Sequence, residues 1–170
     1  GRSYWRLPSF AWEFYGDPSG TGSWSGPANV WAIQMSNKSV TTENEFIRAP
    51  YAQFYGYINH ANVFLANVDR VEFRNPDRKA AAKGEARFIR AMYYYYMTMI
   101  WGSVPNITTL PIPLYPLRAT EEENYTQIIT DLEWAIENLP ETNIGVLRPG
   151  EWEARPDMYS AMALLAKVLM

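Results

Sequence analysis

The sequence predicts an all-α protein, and three observations support this prediction. Four segments carry apolar side chains at the three- and four-residue spacing of an amphipathic helix. Pro and Gly residues stand where these segments begin and end, as expected at helix boundaries. Alternation of apolar and polar residues, which would indicate strands, is weak throughout the chain. We expect two antiparallel helix pairs of the tetratricopeptide-like kind with long aromatic- and proline-rich loops, although no strict repeat period is visible.

Residues 1–50 are predicted to form a loop-rich aromatic segment. They contain few aliphatic side chains at helical spacing, and residues 16–27 are a dense run of turn-forming residues. Aromatic rings in loops can stack on the apolar face of a sugar, although more of them cover a helical core. The rings are Tyr4, Trp5, Phe10, Trp12, Phe14, Tyr15, Trp24, Trp31 and Phe46. Trp24 is the favoured ligand contact, because its glycine and serine neighbours support it least.

Residues 51–170 are predicted to form the helical core, which begins with a helix over residues 51–69. The apolar stripe of this helix consists of Tyr51, Phe54, Tyr55, Ile58, Ala61 and Leu65. Asn62 lies in the centre of the stripe. His60 faces away from it, and this single histidine, with neither Cys nor a partnered carboxylate at ligand spacing, is a poor metal or triad candidate.

A long helix over residues 76–101 is predicted to organise the rest of the chain. Asn75 can cap its first turn, Pro76 suits the first helical position, and Gly102 can close the helix in the left-handed conformation. The predicted core-facing stripe comprises Ala81, Ala82, Phe88, Ile89, Met92, Tyr96, Met99 and Ile100. The predicted opposite face carries Lys83, Arg87, Arg90, Tyr94 and Thr98.

Glu85 and Asn62 are polar side chains within these apolar stripes. A carboxylate there must be paired, hydrogen-bonded or protonated. Glu85 is therefore either a catalytic acid with a raised pKa or a structural carboxylate that binds a neighbouring helix. We favour the structural role because no second acid shares this face. Glu85 and Asn62 are both expected to be buried, hydrogen-bonded in the core between their two helices, and out of contact with ligand.

The remaining segments are a proline-rich loop, a third helix and a fourth. Prolines at four positions between residues 103 and 119 exclude both helix and central strand. Thr120 and Glu123 form a capping box before a third amphipathic helix, which ends at Pro140. The fourth helix begins near Pro156 and is apolar on nearly all sides, so we expect it to be buried between layers.

Composition excludes several classes of function. The hydrophobic fraction of 48% in 170 residues suffices for a real core. A net charge of −3 offers no basic surface for nucleic acid, and the absence of cysteine excludes disulfides and thiolate chemistry in this stretch. No apolar run is long enough to span a bilayer. Because the chain starts at Gly1 and stops inside an apolar run, we expect it to be an internal piece of a longer protein.

Five blocks in series resemble the SusD/RagB family. They are Y-x-x-F-Y-x-x-I-N-x-A-N at 51–62, G-E-A-R-F-I-R-A-x-Y-Y-Y at 84–95, W-G-S-V-P at 101–105, Y-x-x-I-I-x-D-L-x-x-A-I-x-x-L-P at 125–140 and A-M-A-L-L-A-K-V-L at 161–169. Their order and spacing agree over roughly residues 50–170, and a series is far more specific than one block. Residues 155–161 (RPDMYSA) depart from the G-R-x-T-K-x-A-A-like pattern that is common in the family.

The resemblance implies a fold, a location and a partner. Family members are cell-surface lipoproteins of the outer membrane in Bacteroidota-type bacteria, with a tetratricopeptide-like scaffold. They bind glycans or other nutrients without catalysis and form a lid over a SusC-like TonB-dependent transporter. No cofactor, metal or nucleic acid is implied, and the membrane is reached only through a lipid anchor outside this stretch. The family's binding positions lie in variable loops, so none is transferred to this chain.

Exposure chemistry alone makes Trp24, Trp31 and Gln34 the candidate ligand-binding residues. Two other functions remain open. A glycoside hydrolase would need an acid pair such as Glu13 and Asp17, although proximity in sequence does not place two carboxylates across a scissile bond. A helical scaffold that binds peptides or proteins is the second alternative. The sequence does not identify a particular glycan.

Overall fold

The structure, a computed structural model, describes residues 30–142 and 155–170. All regular secondary structure within these two ranges is helical, which confirms the predicted all-α class. The α-helices are α1 (Val30–Ser36), α2 (Glu45–Asn67), α3 (Pro76–Trp101), α4 (Glu121–Asn138) and α5 (Met158–Val168). A short 3-10 helix, Val68–Arg70, follows α2.

The chain forms two compact units, and the boundary between them lies within α2, between Phe54 and Tyr55. In the first unit, α1 and the start of α2 share a small core of Ala32, Met35 and Phe46, against which Trp31, Val40 and Ile47 pack. Helix α1 lies where the sequence predicted loop. Seven residues span only two turns, which is too short for helical periodicity to be recognised. Helix α2 also begins earlier than predicted, at Glu45, and contains Pro50.

In the second unit, the ends of α3 agree with the sequence prediction. The Asn75 side chain accepts a hydrogen bond of 2.8 Å from the backbone N–H of Asp77, which satisfies an otherwise unpaired donor of the first turn. At the other end, the N–H of Gly102 donates to the carbonyl of Thr98 at 2.8 Å. Gly102 has φ 67° and ψ −130°, a region that glycine adopts readily and other residues avoid.

The predicted core-facing side of α3 is wrong. None of the eight residues of the apolar stripe is fully buried, and Ile89 and Met99 are exposed. The buried residues instead include Arg90, Tyr94 and Thr98, which the sequence assigned to the opposite face. That face packs on α4 and on the segment that follows α3, and its polar groups can be buried largely because Arg90 and Tyr94 are hydrogen-bonded there.

The segment after α3 divides into an anchored part and an exposed part. Residues 104–108 lie against the helices, and Val104 is buried. The carbonyl of Val104 accepts hydrogen bonds from the N–H of Ala119 and from Nδ2 of Asn124, both at 3.1 Å. Residues 109–118 are exposed throughout. The two hydrogen bonds therefore close the base of an exposed loop.

Helix α4 packs between α3 and α5. It begins with the predicted capping box, in which the Thr120 and Glu123 side chains each bond to the other's backbone N–H. Ile128, Leu132 and Ala135 of its apolar stripe are fully buried. At Gly84 the chain of α3 approaches Leu139 so closely that an added Cβ would lie 3.0 Å from the leucine Cγ.

The prediction that the fourth helix is buried on all sides is wrong for the part of the chain described. Of the residues of α5, only Ala161 is buried, while Tyr159 and Met162 are exposed. Helix α5 packs mainly on α4 and touches α3, so one face is covered. An apolar composition all round therefore does not identify which faces meet a neighbour.

Candidate functional site

A buried ion pair crosses the interface of α3 and α4. Asp131 of α4 is fully buried, and both of its oxygens bind Arg90: Oδ2 accepts from Nε at 2.7 Å and Oδ1 from Nη2 at 2.8 Å. Arg87, one turn earlier on α3, adds a third bond of 3.1 Å from Nη1 to Oδ1. This two-bond arginine–carboxylate geometry is strong and directional. It makes Asp131 a structural carboxylate that holds two helices together.

Asn62 extends this network to α2 and to the loop. Its Oδ1 accepts a hydrogen bond of 2.8 Å from Nη1 of Arg90, and its Nδ2 donates to the carbonyl of Ile107 at 2.8 Å. Tyr94 holds the same loop residue, since its hydroxyl donates to the Ile107 carbonyl and accepts from the Ile107 N–H. Asn62 is buried, and these partners lie on α3 and the following loop. Sequence periodicity placed Asn62 in the core but did not indicate Arg90 as its partner.

Helices α2 and α3 also form the walls of a surface groove, and this groove is the candidate functional site. Its volume is about 390 Å³, within the usual range of small-molecule sites. The α2 wall presents Tyr57, His60, Ala61 and Phe64, and the α3 wall presents Ala82, Glu85, Ala86 and Ile89. Small alanines deepen the groove, and Arg155 completes its lining.

Glu85 is located in this groove rather than in the core predicted for it. Its side chain is 20% exposed, and its Oε2 accepts two hydrogen bonds from Arg155, at 3.1 Å from Nε and 2.8 Å from Nη2. The expected partner was a neighbouring group on α2. The observed partner, Arg155, lies three residues before the start of α5. Because the two residues are 70 positions apart in sequence, no local pattern predicts their contact.

An aromatic residue of the groove, Tyr57, packs against a buried tyrosine. The ring of Tyr57 stacks on that of Tyr93, with centroids 4.7 Å apart and planes inclined by 19°. Tyr93 is buried, and burial is the main reason that its pKa is raised to about 12, with smaller contributions from Tyr57 and Tyr96. Stacking restricts the Tyr57 ring and gives the groove an ordered aromatic surface.

The groove offers polar groups beside apolar surface but lacks a catalytic pair. Among the lining residues that the structure describes, Glu85 is the single carboxylate. Hydrolysis of a glycosidic bond requires two carboxyl groups that flank the bond. Over residues 30–142 and 155–170, no cluster of three His, Cys, Asp or Glu residues is arranged to hold a metal ion.

Two of the ligand-binding candidates predicted from sequence lie next to each other in the first unit. Asn44 is fully buried, and its Nδ2 donates to the Trp31 carbonyl and to Oε1 of Gln34, both at 3.0 Å. The Trp31 ring is partly buried against the core of α1. Both residues thus make contacts within the protein, and their ligand contacts stay a prediction. Trp24, together with Glu13 and Asp17 of the hydrolase alternative, lies outside the described residues.

The described residues form an all-helical protein with a surface groove, and comparison with known proteins gives its family. The model of the SusD-like family, described as starch-binding and associating with the outer membrane, matches residues 3–170. The chain belongs to the SusD-like family. This confirms the resemblance found in the sequence blocks, and it confirms the tetratricopeptide-like helical architecture. In the part of the chain that the structure covers, no helix combines the length and the apolarity needed to cross a bilayer.

Similar proteins include one curated relative and two solved structures. A SusD-like protein of Bacteroides ovatus is 29% identical over 160 residues, which cover 90% of this chain and 28% of the relative. A structure solved with a xylogluco-oligosaccharide is 30% identical, with a TM-score of 0.69, and the match covers 95% of this chain and 32% of the other. A laminarin-binding SusD-like protein shares the fold at 24% identity, with a TM-score of 0.75, over 99% of this chain and 39% of the other.

Proposed function

We propose that the protein binds glycans at the cell surface without altering them and delivers them to a TonB-dependent transporter of the outer membrane. The observation that carries the proposal is the family match over residues 3–170. A relative of 30% identity was solved with a xylogluco-oligosaccharide, which supports an oligosaccharide as the ligand class. The chain spans about a quarter to two-fifths of the relatives reported above, so this activity belongs to the whole protein.

The groove between α2 and α3 supports binding without catalysis. Tyr57 and Phe64 supply apolar ring surface for the C–H face of a sugar, while His60, Glu85 and Arg155 are able to hydrogen-bond to hydroxyl groups. A single lining carboxylate suits hydrogen bonding but not acid–base hydrolysis. We propose that the groove contacts the glycan and that Trp24, Trp31 and Gln34 are further candidate contacts.

The location and the delivery step are proposed by analogy with the family. The family description places its members at the outer membrane. We propose a lipid anchor outside this stretch and a SusC-like transporter as the partner that receives the glycan. Delivery requires modest affinity, because a tightly held glycan would dissociate too slowly to be transferred. A peptide- or protein-binding scaffold is the alternative function, and helical repeats commonly serve that purpose.

A glycan titration of the complete protein tests the proposal. Xylogluco-oligosaccharides and laminarin oligosaccharides are titrated by calorimetry, and the mixtures are then analysed for cleavage products. We expect saturable binding and no products. Trp24→Ala and Phe64→Ala should each weaken binding about tenfold, because each removes an aromatic face. Val63→Ala is the matched control for Phe64→Ala, since Val63 is the adjacent, similarly exposed residue of α2 and lies outside the groove.

The other possible results of the titration distinguish between the alternative functions. Product release would contradict non-catalytic binding. Glycan binding that survives both aromatic substitutions would move the site away from Trp24 and the groove. Binding to peptides with no response to any glycan would favour the scaffold alternative.

A further inference from the structure

The groove between α2 and α3 contains an ion pair whose two charges offset each other. Apart from His60, the charged residues of its described lining are Glu85 and Arg155. They are bound to each other, with 2.8 Å between Nη2 of Arg155 and Oε2 of Glu85. The pair therefore adds no net charge to the described lining, and the guanidinium is already occupied by a carboxylate.

The pair leaves one oxygen of Glu85 to a ligand. The Arg155 nitrogens Nε, at 3.1 Å, and Nη2, at 2.8 Å, both donate to the same carboxylate oxygen, Oε2. Within residues 30–142 and 155–170, no group donates to Oε1. An ionised carboxylate accepts hydrogen bonds and donates none. A ligand group that binds Oε1 must therefore be a donor, and hydroxyl groups are the donors that a neutral sugar offers.

The surroundings of the pair make the carboxylate the dominant charge of the groove. Ala82 and Ile89 lie one turn to either side of Glu85 on the α3 wall, so its neighbours there are apolar. The Glu85 side chain is 20% exposed, whereas that of Arg155 is 49% exposed. Water screens the more exposed charge more strongly. A ligand in the groove therefore interacts more strongly with the carboxylate than with the guanidinium.

We propose that Glu85 makes the groove selective for uncharged sugars, so that glycans bearing carboxylate or sulfate groups are rejected. This selectivity rests on the glycan binding proposed above for the same groove. A sugar hydroxyl donates to Oε1 while the sugar ring packs on Tyr57 or Phe64. The two bonds from Arg155 fix the direction in which Oε1 is presented. An anionic group at this position would bring a second negative charge beside the carboxylate, and like charges repel strongly in a partly desolvated site.

Pairs of oligosaccharides that differ in charge test the proposal on the complete protein. Xylogluco-oligosaccharides and laminarin oligosaccharides are titrated by calorimetry, each beside a derivative whose primary hydroxyl groups have been oxidised to carboxylates. The titrations are made at about pH 8, where an imidazole group is normally uncharged. We expect the wild type to bind the neutral oligosaccharides at least about tenfold more tightly than their carboxylated derivatives.

Two substitutions at the pair have opposite expected effects on this preference. Glu85→Gln keeps the shape of the side chain and removes its charge, so the preference for the neutral form should fall at least about tenfold. Binding of the neutral form should also weaken, because an uncharged acceptor forms a weaker hydrogen bond. Arg155→Gln instead leaves the carboxylate without its counter-charge and should increase the preference. The Arg155 side chain is half exposed, so this second variant leaves the buried core intact.

Glu45→Gln is the matched control for Glu85→Gln. It changes the net charge of the protein by the same amount, at an exposed pair with Arg48 that lies outside the groove. The control should keep the preference of the wild type. An equal loss of preference in Glu45→Gln and Glu85→Gln would assign the selectivity to net charge and overturn the role of Glu85.

The outcomes distinguish this inference from the proposed function. If the wild type binds the carboxylated form as tightly as the neutral one, or if Glu85→Gln keeps the preference, selectivity by Glu85 is overturned and glycan binding stands. Unchanged affinity of Phe64→Ala for the neutral oligosaccharides would place the glycan outside the groove, with the same consequence. A wild type that binds neither neutral oligosaccharide would contradict glycan binding itself, and the selectivity would fall with it.

Discussion

At the scale of single residues, a buried network of charged and hydrogen-bonded side chains joins three of the helices. Arg90 and Asp131 are buried opposite each other, and Asn62 binds the arginine from a third helix. Helical periodicity assigns an arginine to the solvent side, so the sequence placed Arg90 on the wrong face. The pairing was not predictable because the partners lie 41 residues apart and neither has a local pattern that identifies the other.

Asp131→Asn is expected to destabilise the protein by about 3 kcal/mol or more, because it leaves Arg90 buried without its counter-charge. The free energy of unfolding is measured by urea denaturation followed by circular dichroism. Glu45→Gln is the matched control, since Glu45 forms an exposed pair with Arg48 at 2.8 Å. That substitution should cost less than about 1 kcal/mol. Similar losses for the two variants would contradict a stabilising role for the buried pair.

Tyr93 should make stability depend on pH in the alkaline range. Its pKa is raised from 10.0 to about 12, so above pH 10 the unfolded chain loses this proton while the folded protein retains it. The contribution of Tyr93 to stability is complete below pH 10 and is lost as the pH rises to about 12. Across that interval the free energy of unfolding should fall more steeply for the wild type than for Tyr93→Phe. Parallel profiles from urea denaturation would show that the pKa is unchanged by folding.

At the scale of secondary-structure elements, the ends of α3 and the start of α4 were predicted correctly, whereas the buried faces of α3 and α5 were not. The ends of α3 and the start of α4 depend on local chemistry, namely the Asn75 cap, the Gly102 conformation and the capping box of Thr120. Which face of a helix is buried depends on the elements that pack against it. The exposed sides of α3 and α5 show that apolar composition alone does not reveal a neighbour.

Gly102→Ala should lower stability by about 1–3 kcal/mol, because φ 67° strains any other residue and the added Cβ would lie 3.0 Å from Oε1 of Glu121. Gly56→Ala is the matched control within a helix. No atom lies within 4 Å of the Cβ it would add, so it should increase stability by up to about 1 kcal/mol. Thermal unfolding measures both variants. An unchanged or raised melting temperature for Gly102→Ala would contradict the conformational argument.

At the scale of the whole molecule, the family was predictable from sequence although the candidate groove was not. Five short blocks in a fixed order identified the family, and the family match over residues 3–170 confirmed it. The groove combines residues of α2 and α3 with Arg155, and no local motif relates these three parts of the chain. Trp31 and Gln34 were chosen for exposure chemistry, but their contacts with Asn44 depend on a tertiary arrangement that composition does not encode.

The hydrogen bond between Val104 and Ala119 makes the helical scaffold independent of the loop sequence that lies between these two residues. Because the two ends of the loop are joined to each other and to α4 at this point, the helices keep their register regardless of the residues at the tip. Insertions at such a closed base add little loop-closure entropy. The same scaffold can therefore exchange this tip during evolution, or accept a grafted epitope in the laboratory, without redesign of its core.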